Sequence, residues 1–178
     1  MLKKIVFGSG IIVALTLLWS HAWAEGYDHK ITVKKMTFEW KVVNNNLDIK
    51  LSASTKGWVA IGFNPISRMK DANIILAYVK KGKVKAADHF GVSDTKHSKD
   101  SKLGGEKDIT GLSGVEENGI TTVSFTIPLD SGDSKDKPVL VDSDTTIILA
   151  YGAGRDSFRS KHAYRTTLTV NLKTGAYK

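Results

Sequence analysis

The sequence predicts an all-β protein, an antiparallel β-sandwich of the immunoglobulin-like kind in one domain. Three observations predict it. Apolar residues alternate with polar ones at a period of two over most of the chain. The alternating runs are short and bounded by Asn, Gly and Lys turns. No stretch of a dozen residues sustains an apolar period of 3.6. Several short strands at regular spacing, joined by polar turns, point to two packed sheets.

Each element follows in order. Met36, Phe38, Trp40 and Val42 share one face of a strand, with Thr37, Glu39 and Lys41 on the other. After the turn Asn44-Asn45-Asn46, Leu47, Ile49, Leu51 and Ala53 alternate again, which makes a hairpin. Strands are next expected at 57–63 (GWVAIGF), 73–79 (NIILAYV) and 83–90 (KVKAADHF). The last two meet at the tight turn Lys80-Lys81-Gly82. ITTVSFTIP (120–128) follows the turn pair Asn118-Gly119. TTIILAYG (145–152) is a continuous apolar run, expected as a central strand covered on both faces, and TLTVNL (167–172) closes the chain. Two stretches lack a pattern. Ser93–Lys107 is rich in Lys, Asp, Ser and Gly and reads as a solvated loop. Gly152–Arg165 is a basic, aromatic loop between two core strands, the kind of place where a ligand site sits.

Residues 1–24 have the layout of a secretory signal peptide. Lys3 and Lys4 precede an apolar run, and Ala22-Trp23-Ala24 supplies small residues at the cleavage positions. Cleavage leaves one domain over 25–178, periplasmic or secreted, with no insertion in the membrane. The run is too short to span about 30 Å of hydrocarbon comfortably. The formal charge of the whole chain is +8, but Lys alternates with acids, as in SDTKHSKDSK, so a nucleic-acid partner is not expected.

Composition narrows the chemistry. With no cysteine, there is no disulfide, no zinc–thiolate site, no cysteine-held cluster and no covalent haem. No G-x-S-x-G elbow, P-loop or dinucleotide fingerprint is present, and GLSG at 111–114 reads as a turn. Asp142-Ser143-Asp144 lacks the Gly and distal Glu of a calcium loop. His89 and His97 are eight residues apart without an evident third ligand, and read as surface or turn histidines. Met36 belongs to a core strand. Met69 does not: it lies in the polar loop NPISRMKDAN, between Arg68 and Lys70. It is either folded over the sandwich edge or a thioether ligand to a metal centre. A thioether paired with an imidazole is an axial set for haem iron, and His162 lies in the other long loop.

The ordered set GWVAIGFNP (57–65), MKDANIILAYV (69–79), EENGITTVSFTIPLDSGD (116–133), TTIILAYGAGRD (145–156) and KHAYR (161–165) resembles the DOMON family. The likeness extends to the cytochrome domain of cellobiose dehydrogenase and to secreted plant b-type cytochromes, and covers about residues 30–172. It implies a β-sandwich. In haem-binding members it implies a non-covalent haem b held by a Met before the M-x-x-A-(D/N) strand and a His before the last strand. Those positions hold Met69 and His162 here. Lys161 is a rival, because a related haem-binding sandwich uses Met and Lys. A neutral imidazole needs no deprotonation near pH 7, whereas an ammonium must shed its proton, which favours His162. The aromatic pocket residues on this reading are Trp58, Phe63, Tyr78, Phe90, Tyr151, Phe158 and Tyr164, with Arg155, Arg159 and Arg165 set to meet propionates or simply solvated. The expected function is single-electron transfer with a separate redox partner protein, not catalysis. The alternative is a haem-free sandwich that binds carbohydrate or another small ligand.

Overall fold

The computed structural model describes residues 26–178, so the expected signal peptide lies outside the described residues. The described residues form eleven strands: β1 (His29–Val33), β2 (Met36–Val43), β3 (Asn46–Ala53), β4 (Val59–Phe63), β5 (Asn73–Lys80), β6 (Lys83–Ser93), β7 (Lys96–Lys99), β8 (Thr110–Glu117), β9 (Ile120–Pro128), β10 (Asp144–Gly152) and β11 (His162–Asn171). One turn of 3-10 helix covers Asp100–Lys102. A five-stranded sheet has the order β1-β2-β3-β9-β8 and a six-stranded sheet the order β11-β10-β4-β5-β6-β7. All strand pairs are antiparallel. The fold is therefore the expected antiparallel β-sandwich in one domain. Among the described residues no helix is long and apolar enough to cross a membrane.

The expected hairpins form in register. Val43 pairs with Asn46 across the first turn, and Lys80 with Lys83 across the second. Lys81 and Gly82 both take positive φ (51° and 71°), as do Asn118 and Gly119 (52° and 76°), the geometry a two-residue hairpin turn requires. Three strands escaped the sequence reading. β1 is short, and β8 carries two glycines and two glutamates, which blunt its alternation; both are edge strands. β7 and the 3-10 turn occupy part of the stretch read as a solvated loop. The last strand begins at His162, not at Thr167.

The inner faces pack into one core. Met36, Phe38, Trp40, Leu47, Ile49 and Leu51 meet Val59, Ile61, Phe63, Ile75, Ile147 and Leu149. Phe38 stacks on Trp40 at 4.5 Å, and the Trp40 indole donates to the Leu172 carbonyl at 2.8 Å, so its one polar atom is satisfied.

The outer faces differ, and this difference positions the site. The five-stranded sheet turns Glu39, Lys50, Asp48 and Thr126 outward, with Lys50 on Glu39 at 2.9 Å and Thr126 donating to Asp48 at 2.6 Å. On the six-stranded sheet, β4 is buried at every residue and β5 at all but its last. Its outward side chains Ala60, Ile74, Leu76, Tyr78 and Ala150 form a second apolar cluster with Trp58, Ala72, Met69, Ile148 and Phe158. An apolar outer face needs a cover, and here two loops supply it.

A candidate cofactor cavity on the outer sheet face

The first covering loop is 64–72, between β4 and β5. It is folded by its own backbone: Ile66 N–H donates to Lys70 O, Lys70 N–H to Ser67 O, and Ala72 N–H to Met69 O. Arg68 and Asp71 take positive φ, 49° and 60°. The loop is clamped to β6, because Asp71 N–H donates to Gly91 O at 2.7 Å and Gly91 N–H to Ala72 O at 2.9 Å. A Cβ on residue 91 would fall on the Met69 carbonyl group, 2.6 Å from its carbon, so only glycine lets the loop approach this closely. The Met69 side chain is thereby laid over the sheet.

The second loop is 153–161, between β10 and β11. Trp58 latches it. Its Nε1–H donates to Ser160 Oγ at 2.9 Å, and Ser160 Oγ–H donates to Ser157 O at 2.8 Å. Gly152 is needed beneath, since a Cβ there would lie 2.5–2.8 Å from the Trp58 indole. Phe158 comes down on Tyr78 at 4.7 Å between ring centroids.

Between the loops lies a cavity of about 500 Å³, floored by Ala60, Gly62, Ile74, Leu76, Ile148 and Ala150. Met69, His162, Lys161, Phe158, Arg159 and Arg165 form its walls and mouth. Met69 and His162 also face a contiguous hollow with Arg68 and Arg165. Partial burial, then the neighbouring cations Arg165 and Lys161, hold the His162 imidazole below its usual range. It is neutral at pH 7, with a lone pair to give.

Of the residues singled out by sequence, the structure brings Trp58, Met69, Phe158, Arg159, Lys161, His162 and Arg165 together around this cavity. Tyr78 supports it from under Phe158. Four are elsewhere. Phe63 points inward and is fully buried between the sheets. Tyr151 packs on the inner core and against Tyr164, 5.4 Å away, beside the register shift at Tyr151 and Gly152. Arg155 does not line the cavity, although its backbone closes on Gly57. Phe90 lies under Lys135 on the inner side.

Sequence reasoning missed Gly91, Ser160 and the histidine pair. His89 is 8% exposed, so it is no surface residue. Its Nδ1 lies 2.8 Å from Nδ1 of His97, and His97 lines the cavity. Burial first, then the adjacent His97 and the cations Lys99 and Lys102, push the His89 pKa down to about 4. Burial also lowers that of His97. Both rings are neutral at pH 7, and one donates to the other.

The donor set fits haem. A thioether and an imidazole face one apolar cavity, cations stand at its mouth, and the chain has no cysteine to make a covalent link.

Comparison with known proteins agrees with the architecture. The DOMON domain model matches residues 32–152. The chain is 28% identical over 112 residues to DBH-like monooxygenase protein 1 of Homo sapiens, a match that covers 63% of this chain and 18% of that protein. The fold is similar to the cytochrome b domain of pyranose dehydrogenase from Coprinopsis cinerea, with a TM-score of 0.54 and 11% identity over 79% of this chain and 80% of that one. It is also similar to the cytochrome domain of Myriococcum thermophilum cellobiose dehydrogenase, with a TM-score of 0.57 and 10% identity over 79% and 77%. At such identities the likeness to solved structures is one of fold. The family match spans most of the sandwich, from β1 to the end of β10, and the chain belongs to the DOMON domain family.

Proposed function

We propose that the protein is an exported b-type cytochrome that binds haem non-covalently and passes single electrons to or from a separate protein. One observation carries this reading. Met69, from the 64–72 loop, and His162, the first residue of β11, line the same cavity on an apolar sheet face. When bound, haem supplies a one-electron couple.

The chain's own residues do the rest. Met69 offers a soft thioether from a loop clamped at Gly91, and His162 offers a neutral imidazole from the start of β11. Met69 and His162 together would hold the haem iron and leave it no free position for a small ligand, so the group would supply one-electron transfer and not oxygen chemistry. The floor of Ala60, Ile74, Leu76, Ile148 and Ala150 excludes water. Arg159 and Arg165, exposed at the mouth, would meet the propionate carboxylates. The same cations, with Lys161, steer an anionic protein surface toward the haem edge. Carbohydrate binding has less support: Trp58 and Tyr78 are buried and offer no open stacking platform.

The test is a ligand series on haem-loaded protein. Met69→Ala should lower the potential and admit carbon monoxide. His162→Ala should weaken haem retention more, while Lys161→Ala keeps the reduced spectrum. If Lys161→Ala loses the six-coordinate spectrum and His162→Ala keeps it, the axial assignment is wrong. If none of the three changes anything, the haem reading fails.

A further inference from the structure

On the inner side of the same sheet edge, five aspartates converge from four segments. Asp88 is on β6, next to His89 but pointing into the sandwich, opposite Ile75. Asp100 starts the 3-10 turn, Asp108 precedes β8, and Asp133 and Asp136 lie in the loop after β9. Ligand oxygens of Asp88, Asp100 and Asp136 all lie within 4.8 Å of one another, and so do those of Asp108, Asp133 and Asp136. Asp136 belongs to both groups.

These are not surface acids. Asp100 is 1% exposed, Asp88 6% and Asp136 7%. Nor are they satisfied. Both carboxylate oxygens of Asp100 lack a hydrogen-bond partner, as do Asp88 Oδ1, Asp136 Oδ1 and Asp108 Oδ2. Buried carboxylates without partners cost several kcal/mol each unless something compensates them, in the usual accounting of about 2–7 kcal/mol even for neutral polar groups. Other oxygens of the cluster are fixed by backbone: Asp133 accepts from the amides of Glu106 and Lys135, and Asp88 Oδ2 from that of Asp108 at 3.4 Å. The 100–108 segment is drawn tightly over the group. A Cβ on Gly105 would lie 2.9 Å from Asp133 Oδ2 and 3.1 Å from the Asp100 Cβ. The orphaned oxygens therefore face one another inside a closed, backbone-braced nest.

We propose that Asp88, Asp100, Asp108, Asp133 and Asp136 hold one calcium ion. The donors are all oxygen, which selects a hard cation over zinc or copper. Two oxygens each about 2.3–2.6 Å from one ion stand up to about 5 Å apart, the spacing found within each of the two triads that Asp136 joins. Five carboxylates exceed what octahedral magnesium tolerates without its waters, whereas calcium accepts six to eight oxygens in irregular geometry. The ion ties β6, the 3-10 turn, the entry to β8 and the loop after β9 into one unit. It also fixes the strand that carries His89 at the wall beside the cavity. This inference is independent of the haem reading, because no residue is shared between the two sites.

The experiment measures melting temperature and bound calcium, by isothermal titration and by elemental analysis after gel filtration, in the wild type, Asp100→Asn and Asp136→Asn. The wild type in 1 mM CaCl2 should carry one calcium per chain and melt about 5 °C or more above the same protein in EDTA. MgCl2 at the same concentration should give less than half that shift. Each Asn variant should bind calcium at least 10-fold more weakly. In EDTA it should melt at or above the wild type, because the new amide can donate to a neighbouring carboxylate oxygen that otherwise lacks a partner. That reversal of order separates a metal site from a merely structural role. Absence of bound calcium and of any calcium-dependent shift in the wild type would overturn the proposal. So would an equal calcium shift in both variants. If one variant fails to fold in either buffer, the other decides.

Discussion

Replacing Gly91 by alanine tests how the fold places Met69. The added Cβ would land on the Met69 carbonyl group, 2.6 Å from its carbon and 3.2 Å from the Ala72 nitrogen. These are backbone atoms, so no side chain can swing aside. The 64–72 loop must lift. Lifting strains the two clamping hydrogen bonds, Asp71 N–H to Gly91 O and Gly91 N–H to Ala72 O. Overpacking of this kind costs about 1–3 kcal/mol, and loss of two such hydrogen bonds adds about 1–2 kcal/mol. A total of about 2–5 kcal/mol lowers the melting temperature by about 4–20 °C in a domain of this size. The core between the sheets is untouched, so the fold survives. Thermal melts followed by circular dichroism read the stability, and the haem spectrum of reconstituted protein reads the ligand. Gly91→Ala should lose the methionine ligand while it retains haem on His162. Gly26→Ala, where a Cβ meets nothing, is the control and should melt like the wild type. A Gly91→Ala protein that melts within 1 °C of the wild type, with its six-coordinate spectrum intact, would refute this account of Met69 placement.

Two further predictions follow from the same geometry, beside the ligand series and the calcium test. Trp58→Phe keeps the ring but loses the Nε1–H bond to Ser160, so it should cost about 1 kcal/mol; limited proteolysis within 153–161 should then become faster, and an unchanged cleavage rate would remove the latch from the argument. The third concerns pH. In the absence of calcium, burial above all, with repulsion from neighbouring acids, raises Asp88 to about 7, Asp100 to about 6 and Asp136 to about 8. Unfolded, these groups release their protons near 3.8. The folded state therefore binds more protons between the two values, and stability falls as pH rises through that window. His89 and His97 act oppositely, losing stability as pH falls below their usual 6.5, and Lys135 tempers the charge at Asp100. Between pH 6.5 and 8 the carboxylates dominate. The melting temperature in EDTA should fall across that interval and stay nearly level in calcium; a rise in EDTA would contradict the assignment.

The sequence carried the sandwich and both proposed axial residues, for physical reasons that also explain its gaps. On the five-stranded sheet, a wet outer face makes Phe38 and Trp40 alternate with Glu39 and Lys41, and one face is plainly the core. On the six-stranded sheet, both faces of β4 and β5 are apolar. Alternation then vanishes, and nothing local tells that Trp58 looks toward the cavity and Phe63 toward the core. Only the packing of the second sheet decides. The shift at Tyr151 and Gly152 blurs the face assignment at the end of β10 in the same way. Met69 and His162, the proposed ligands, stand out in the sequence because one is a thioether in a polar loop and the other an imidazole just before the last apolar run. Gly91 does not, since its role depends on a chain segment about twenty positions earlier folding back onto it. Of the aspartate nest, Asp100 falls in the stretch that reads as a solvated loop and Asp88 in an expected strand, and nothing in the sequence singles out the other three. Its members span 88 to 136, and their convergence exists only after both sheets have formed.

On the reading proposed above, the cavity between Met69 and His162 holds haem b in a six-coordinate, electron-transfer state. The most direct measurement is the absorbance and electron paramagnetic resonance spectrum of protein made with haem supply, with the pyridine haemochrome giving haem per chain. The account predicts one extractable haem b per chain, a low-spin ferric signal, and a Soret band that shifts on reduction and ignores carbon monoxide. A colourless protein that takes up no stoichiometric haem on reconstitution, or a high-spin pigment that binds carbon monoxide at once, would contradict it.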